Sequence, residues 1–123
     1  MRTYKAVFSD IDGTLLTSEH IVSTATIEAI ASLQKKNIPF VIISSRSASC
    51  IYPILKKHHF QCPIVACGGA WIEDMNGRIL SNEGMSRQTA ATVIEFMTEK
   101  NFDLAWGIYS GKNWITNDRY EDI

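Results

Sequence analysis

The sequence lacks a membrane-spanning stretch, a secretion signal and an excess of basic charge. No apolar run approaches the roughly 18 residues that a transmembrane helix needs. The apolar run from Ala6 to Phe8, which precedes Asp10, is too short for a signal peptide. Twelve basic residues balance thirteen acidic ones, with no block of one sign, so no basic surface for nucleic acid is expected. We therefore predict a cytoplasmic protein that binds neither membranes nor nucleic acid.

Cysteine is also scarce, and its number argues against a disulfide framework. The three cysteines are Cys50, Cys62 and Cys67, an odd set in a chain without an export signal, which indicates reduced thiols. The spacing of Cys62 and Cys67 matches no common zinc site. We expect Cys50 and Cys67 to act as small buried hydrophobic side chains.

Short apolar runs alternate with amphipathic stretches up to residue 67, which predicts a parallel α/β sheet with right-handed crossovers. The predicted strands are 4–9, 38–43 and 63–67, and the predicted helices are 24–36 and 48–58. The strand 38–43 is continuously apolar, as expected of a central strand covered on both faces. Ligands bind outside the carboxyl ends of such strands, where Asp10, Ser44 and Gly68 would lie.

The pattern changes after residue 70. The segment from Met75 to Gly77 contains Asn-Gly between two short apolar-containing runs, which predicts a β-hairpin. Ser86 begins a helix that reaches about Asn101. Two further strands are predicted at 102–110 and 113–116.

Asp10 and Asp12 are the sharpest chemical feature. Two aspartates that are two residues apart at a strand end have Cα atoms about 6–7 Å apart, and their side chains point the same way. Their repulsion is about 3 kcal/mol at an effective dielectric near 20. Either a hard divalent cation or protonation of one carboxyl would relieve it. The alternative interpretation is a turn, in which Asp12 and Gly13 only provide local hydrogen bonds and a left-handed residue.

The string from Asp10 to Leu16 resembles the first motif of the haloacid dehalogenase superfamily of phosphohydrolases. Residues 41–46 resemble the second motif, a hydrophobic strand that ends in Thr or Ser. Residues 63–70 resemble the third strand of the Cof-type sugar-phosphatase branch. Two positions depart from that branch: Ser45 replaces its usual Gly, and Gly68 replaces its usual Asn.

This resemblance implies a magnesium-dependent phosphomonoester hydrolase that acts on small phosphorylated metabolites through an aspartyl-phosphate. Asp10 would be the nucleophile and Asp12 the general acid and base. Mg²⁺ would bind the Asp10 carboxylate and the Asp12 backbone carbonyl. The amides of Ile11 and Asp12, the Ser44 hydroxyl and the Ser45 amide would hold the phosphoryl oxygens.

Arg46 ends the second motif, and two roles for it stay open. It could bind substrate, or it could form a surface ion pair. The substrate itself cannot be read from the sequence, because in this branch the cap domain selects it.

The resemblance also predicts the domain organisation. A partial doubly wound, Rossmann-like core would occupy 1–82, and the start of a truncated α/β cap would occupy 83–123. The family's active site also uses a lysine and further acidic magnesium ligands that follow the cap, and no such segment is found after residue 80. We therefore expect impaired activity from this chain alone.

Two other classes of protein compete with this interpretation. A phosphoacceptor receiver domain has a similar length, but the predicted third strand ends without the Asp that such domains phosphorylate. The other rival is a non-catalytic fragment that self-associates through an exposed sheet edge, giving a homo-oligomer.

Overall fold

A computed structural model of the chain describes residues 4–100, 105–111 and 113–117. The chain divides into two compact units, Met1–Glu83 and Gly84–Ile123. All the candidate site residues belong to the first unit.

The first unit is a five-stranded sheet with two helices. Its elements are β1 (Val7–Ser9), α1 (Thr24–Lys35), β2 (Phe40–Ile43), α2 (Ala48–Lys57), β3 (Ile64–Ala66), β4 (Trp71–Glu73) and β5 (Ile79–Asn82). The strands follow one another across the sheet in the order of the sequence. The first three are parallel, and β4 and β5 are antiparallel to their neighbours. The predicted α/β class, strands, helices and hairpin are confirmed, with ends shifted by a few residues.

Local chemistry explains where the helices begin. Ser23 precedes α1, and its hydroxyl accepts a hydrogen bond from the Thr26 amide at 3.2 Å. That bond satisfies one of the amides that a helix N-terminus leaves without a partner. After α1, Asn37 adopts φ 54°, a left-handed conformation that asparagine tolerates and that turns the chain toward β2.

A single apolar cluster holds the first unit together. Ile42 and Ile64 from the sheet pack with Ile30 of α1 and Ile51 of α2, and all four are at most 2% exposed. The buried members of the cluster are Ile11, Leu15, Leu16, Val22, Ile30, Phe40, Ile42, Ile51, Phe60, Cys62, Ile64 and Ala66.

The prediction that β2 is covered on both faces is wrong for the described residues. Phe40 and Ile42 are buried, but Ile43 is 40% exposed, and Phe8 of β1 is 62% exposed. The crossovers β1–α1–β2 and β2–α2–β3 both move in one direction across the sheet, and right-handed crossovers then put both helices on the same face. The opposite face therefore receives no helix from this part of the chain.

The cysteine prediction needs a similar correction. All three thiols are free, but Cys62 is the buried one, whereas Cys50 and Cys67 are partly exposed. Burial raises the pKa of the Cys62 thiol to about 11. Cys62 precedes β3 and joins the core, while Cys67 follows β3 in a turn at the edge of the sheet.

The second unit contains α3 (Arg87–Glu99) and a two-stranded ladder, β6 (Gly107–Ser110) and β7 (Asn113–Thr116). The Ser86 hydroxyl caps α3 by accepting from the Thr89 amide at 3.0 Å. The predicted helix and strands are thus confirmed, except that the start of the strand predicted at 102–110 lies outside the described residues. Within the described ranges, no helix is both long and apolar enough to cross a membrane.

Candidate active site

Asp10 immediately precedes a wide single turn that follows β1, and Asp12 is the second residue of that turn. The turn spans Ile11–Leu15 and closes with a hydrogen bond from the Leu16 amide to the Ile11 carbonyl, at 3.0 Å. Ile11 and Leu15 are buried and anchor the turn in the core, while both aspartates stay exposed. The anchoring therefore presents the two carboxylates to solvent on a fixed backbone.

Gly13 is the residue that lets this turn form. It adopts φ 73°, ψ 5°, the left-handed region in which a side chain would add strain. The sequence predicted a left-handed residue here under the turn interpretation, and the structure has one. The turn interpretation and the catalytic one are therefore compatible, because the same turn positions Asp12.

The end of β2 supplies the second part of the site. Ser44 is 4% exposed, and its hydroxyl oxygen accepts a hydrogen bond from the Arg46 amide at 3.1 Å. Two backbone bonds tie this segment to the turn after β3: the Gly68 amide donates to the Ser44 carbonyl, and the Cys67 amide donates to the Arg46 carbonyl. These bonds fix the backbone at Ser44 and at Arg46. Ser45, which lies between them, is exposed.

The parallel register brings these two strand ends together. Ser9 in β1 lies opposite Ile42 in β2, so the chain leaves both strands at one edge of the sheet. Asp10 comes directly after Ser9, and Ser44 is two residues beyond Ile42. This edge is the one that the sequence predicted as the ligand site of the sheet.

Arg46 pairs with Asp12 across this edge. Its Nε donates to Asp12 Oδ2 at 2.8 Å, and its Nη2 donates to Asp12 Oδ1 at 2.7 Å. Such a two-point contact matches the planar guanidinium to the planar carboxylate. Of the two roles left open for Arg46, the structure therefore has the ion pair, although its partner is a candidate catalytic residue.

This pairing changes the electrostatic expectation for the two aspartates. The sequence predicted that a cation or a protonated carboxyl relieves their repulsion. Instead, the hydrogen bonds and charge of Arg46 lower the pKa of Asp12 below its ordinary value of 3.8, with His20 adding a smaller effect in the same direction. The side chain of Asp12 is 49% exposed, so solvent weakens this stabilisation.

Asp10 and Asp12 offer oxygen ligands of the type that binds a hard metal cation. The Asp10 carboxylate and the backbone carbonyl of Asp12 are oxygen ligands, which Mg²⁺ prefers, and Mg²⁺ often uses only one or two carboxylates besides water and substrate phosphate. Across the described part of the chain, however, three or more His, Cys, Asp or Glu side chains do not gather at one point. The residues present thus fit a magnesium ion that takes few ligands from the protein.

A family model of haloacid dehalogenase-like hydrolases matches residues 7–122, nearly the whole chain. The chain belongs to the haloacid dehalogenase-like hydrolases. A haloacid dehalogenase-like hydrolase from Bacillus subtilis has a similar fold, with a TM-score of 0.84 at 25% identity. That match covers 95% of this chain and 41% of the other.

The curated relatives whose names define an activity include two phosphatases of small phosphorylated compounds. Pyridoxal phosphate phosphatase YbhA of Escherichia coli is 26% identical over 98 residues, which is 79% of this chain and 36% of the relative. Phosphoglycolate phosphatase of Methanospirillum hungatei is 29% identical over 129 aligned residues, 97% of this chain and 50% of the relative. The chain therefore spans half or less of the length of these haloacid dehalogenase-like relatives.

Sequence reasoning missed an ion pair and two backbone hydrogen bonds of this candidate site. The Arg46–Asp12 pair joins residues 34 apart in the chain. The bonds from Cys67 and Gly68 to the end of β2 involve backbone atoms, for which the sequence has no direct signal. The catalytic, phosphate-binding and metal-binding roles of Asp10, Asp12, Ile11, Ser44 and Ser45 stay predictions.

Proposed function

We propose that the chain carries the nucleophile half of a phosphomonoester hydrolase that acts on small phosphorylated metabolites. The observation that supports this most is the exposed Asp10, which follows β1 at the sheet edge and precedes the Arg46-paired Asp12. Relatives named for pyridoxal phosphate and phosphoglycolate phosphatases favour substrates of that size.

In the proposed first step, an Asp10 carboxylate oxygen attacks phosphorus. The bond from phosphorus to the ester oxygen breaks, and Asp12 gives its proton to the departing alkoxide. In the second step, Asp12 takes a proton from water while the water oxygen attacks phosphorus. The Asp10–phosphoryl bond then breaks, which releases phosphate and restores both side chains.

The proposed phosphoryl site uses Ser44, Ser45, Ile11 and the Asp12 amide. The Ser44 oxygen already accepts the Arg46 amide, so its own hydrogen is the group left to donate to a phosphoryl oxygen. Burial of Ser44 and the two backbone bonds around it fix that oxygen in advance, which favours stabilisation of charge that grows in the transition state.

We propose that Mg²⁺, when bound, uses the Asp10 carboxylate and the Asp12 carbonyl and neutralises charge on the phosphoryl oxygens. The described residues offer it few protein ligands. Slow turnover by the 123-residue chain alone is therefore part of the proposal.

Arg46 is proposed as a positioning residue for Asp12. Removing its charge raises the pKa of Asp12, because the carboxylate loses its main stabilising partner. Protonation of the leaving group requires protonated Asp12, so the high-pH limb of kcat/KM for an alkyl phosphate should move to higher pH in Arg46→Gln. A fall in rate with an unmoved limb would contradict this role.

Hydrolysis of an aryl phosphate in the presence of Mg²⁺ tests the proposal. We expect slow turnover that Asp10→Asn abolishes. Glu28→Gln, which also replaces a carboxylate by an amide but at an exposed position of α1, should keep that turnover. Equal rates in the wild type and Asp10→Asn would overturn the proposed nucleophile.

A non-catalytic, self-associating chain is the second candidate. Among the described residues, β1 ends the sheet and pairs only with β2, and its Phe8 is 62% exposed. An edge strand whose outer side is unpaired and which exposes an apolar side chain favours pairing with another copy. Sedimentation of a compact monomer at tens of micromolar would exclude this candidate.

A further inference from the structure

A cavity of about 590 Å³ opens in the first unit at the sheet end opposite Asp10. Its wall includes Glu73, which pairs with Ile64, the first residue of β3. Asp10 and Ser44, by contrast, follow the last residues of β1 and β2. The cavity therefore lies at the amino ends of the parallel strands and is separate from the candidate active site. Its size is typical of small-molecule sites.

Glu73 is an unusual wall residue because it is a carboxylate that is only 3% exposed. One of its oxygens, Oε1, accepts from the Tyr52 hydroxyl at 2.5 Å and from the Trp71 indole at 2.7 Å. Both donors bond the same oxygen, so Oε2 has no hydrogen-bond partner among the described residues. Buried side-chain oxygens without a partner do not occur in the described ranges, so Oε2 must reach open space. Glu73 lines the cavity, so the cavity is the open space that Oε2 is inferred to reach.

Neither donor carries a positive charge. Burial and the bond to Glu73 raise the pKa of Tyr52 to about 12, so its phenol remains a neutral donor at neutral pH. A carboxylate removed from water is stabilised best by a positive charge together with hydrogen bonds. Glu73 has the hydrogen bonds, and its second oxygen still lacks the charge.

The rest of the wall indicates which cation fits. Asp74 adds a second carboxylate, and the carboxyl end of α2 adds partial negative charge. Tyr52 and Phe60 line the same space with aromatic rings, which attract organic cations. A metal ion fits less well: His59 and Cys62 also line the cavity, but among the described residues no three His, Cys, Asp or Glu side chains are grouped so that they could hold one ion.

We propose that this cavity binds a small organic ammonium ion with an apolar body, whose ammonium group donates to Glu73 Oε2. The site does not depend on the proposed phosphatase activity, because the cavity shares no residue with the candidate active site. Lys56 also lines the cavity and opposes the ligand's charge. Removing Lys56 should therefore tighten binding.

Tryptamine and its neutral analogue tryptophol are suitable probes. The indole N–H of Trp71 bonds Glu73, so its NMR signal reports binding at this carboxylate directly. We expect tryptamine to shift that signal in a saturable way and tryptophol to bind at least about tenfold more weakly, as for loss of a charged hydrogen bond. This test needs only the wild-type protein. Equal affinity for the two probes, or no saturable shift with tryptamine, would overturn the proposal.

Glu73→Gln is the matched substitution. Its Oε1 can still accept from Tyr52 and Trp71, while an amide nitrogen replaces the cavity-facing oxygen. We expect at least about tenfold weaker tryptamine binding in Glu73→Gln and tighter binding in Lys56→Met. Unchanged tryptamine affinity in a folded Glu73→Gln protein would contradict the assignment.

Discussion

The ion pair between Arg46 and Asp12 links the segments that follow β2 and β1, and its strength can be measured by a double-mutant cycle. Both arginine–carboxylate distances are below 3 Å, but the side chains are 38% and 49% exposed. Exposed pairs contribute about 0.2–1 kcal/mol, and two-point geometry favours the upper half of that range. We therefore expect Arg46→Met and Asp12→Asn to show a coupling of about 0.5–1 kcal/mol.

Urea unfolding of the wild type, the two single variants and the double variant at pH 7 measures this coupling. The pKa of Asp12 is lowered in the folded state. The ion pair therefore adds to the free energy of unfolding above the unfolded-state pKa of Asp12, and this stabilisation is lost as pH falls through the folded-state pKa. It should also weaken in 1 M salt. A control cycle of Asp12→Asn with Lys56→Met, whose lysine lies at the other end of the sheet, should give zero.

A coupling of zero at pH 7 would refute the pairing. A coupling that is unchanged well below the folded pKa would also contradict it, because the carboxylate would then be neutral. Circular dichroism of each variant at pH 7 checks that the comparison is between folded proteins.

Three stability predictions follow from the fold, each measured by urea unfolding. Ile42→Ala should lower the free energy of unfolding by about 2–5 kcal/mol because Ile42 is fully buried. The same change at the exposed Ile43 should lower it much less, and equal losses at the two positions would contradict the assigned core face. Gly13→Ala should cost about 1–2 kcal/mol from its positive φ, and a neutral result would contradict the turn. Ser23→Ala should cost about 1 kcal/mol through loss of the bond to Thr26, and Ser23→Asp should restore most of it.

The helices and strands could be predicted because their signals are local. Short apolar runs in the strands, periodic apolar positions in the helices, a capping serine at Ser23 and the Asn-Gly turn before β5 each act within a few residues. The position of Asp10 followed from the same reasoning, since a parallel strand that ends in a polar residue presents it at the ligand edge.

Long-range features could not be predicted in the same way. The exposed face of β2 depends on the direction in which successive strands are added, and the sequence of β2 does not encode that direction. The partners of Arg46 and Glu73 depend on which long side chains meet once the sheet has formed. Arg46 contacts Asp12, 34 positions away, and Glu73 contacts Tyr52, 21 positions away, as well as Trp71, two positions away on the same strand.

Phosphorylation of Asp10 itself tests the central proposal most directly. Asp12→Asn lacks the base for the second step, but a p-nitrophenyl ester needs no acid in the first, so the phosphoenzyme should accumulate after mixing with Mg²⁺ and this substrate. After acid quenching, mass spectrometry of the tryptic peptide 6–35 should show the mass of one added phosphoryl group. The adduct should be absent from the Asp10→Asn, Asp12→Asn double variant. No adduct in Asp12→Asn, or an adduct that survives replacement of Asp10, would contradict the assignment of Asp10 as the nucleophile.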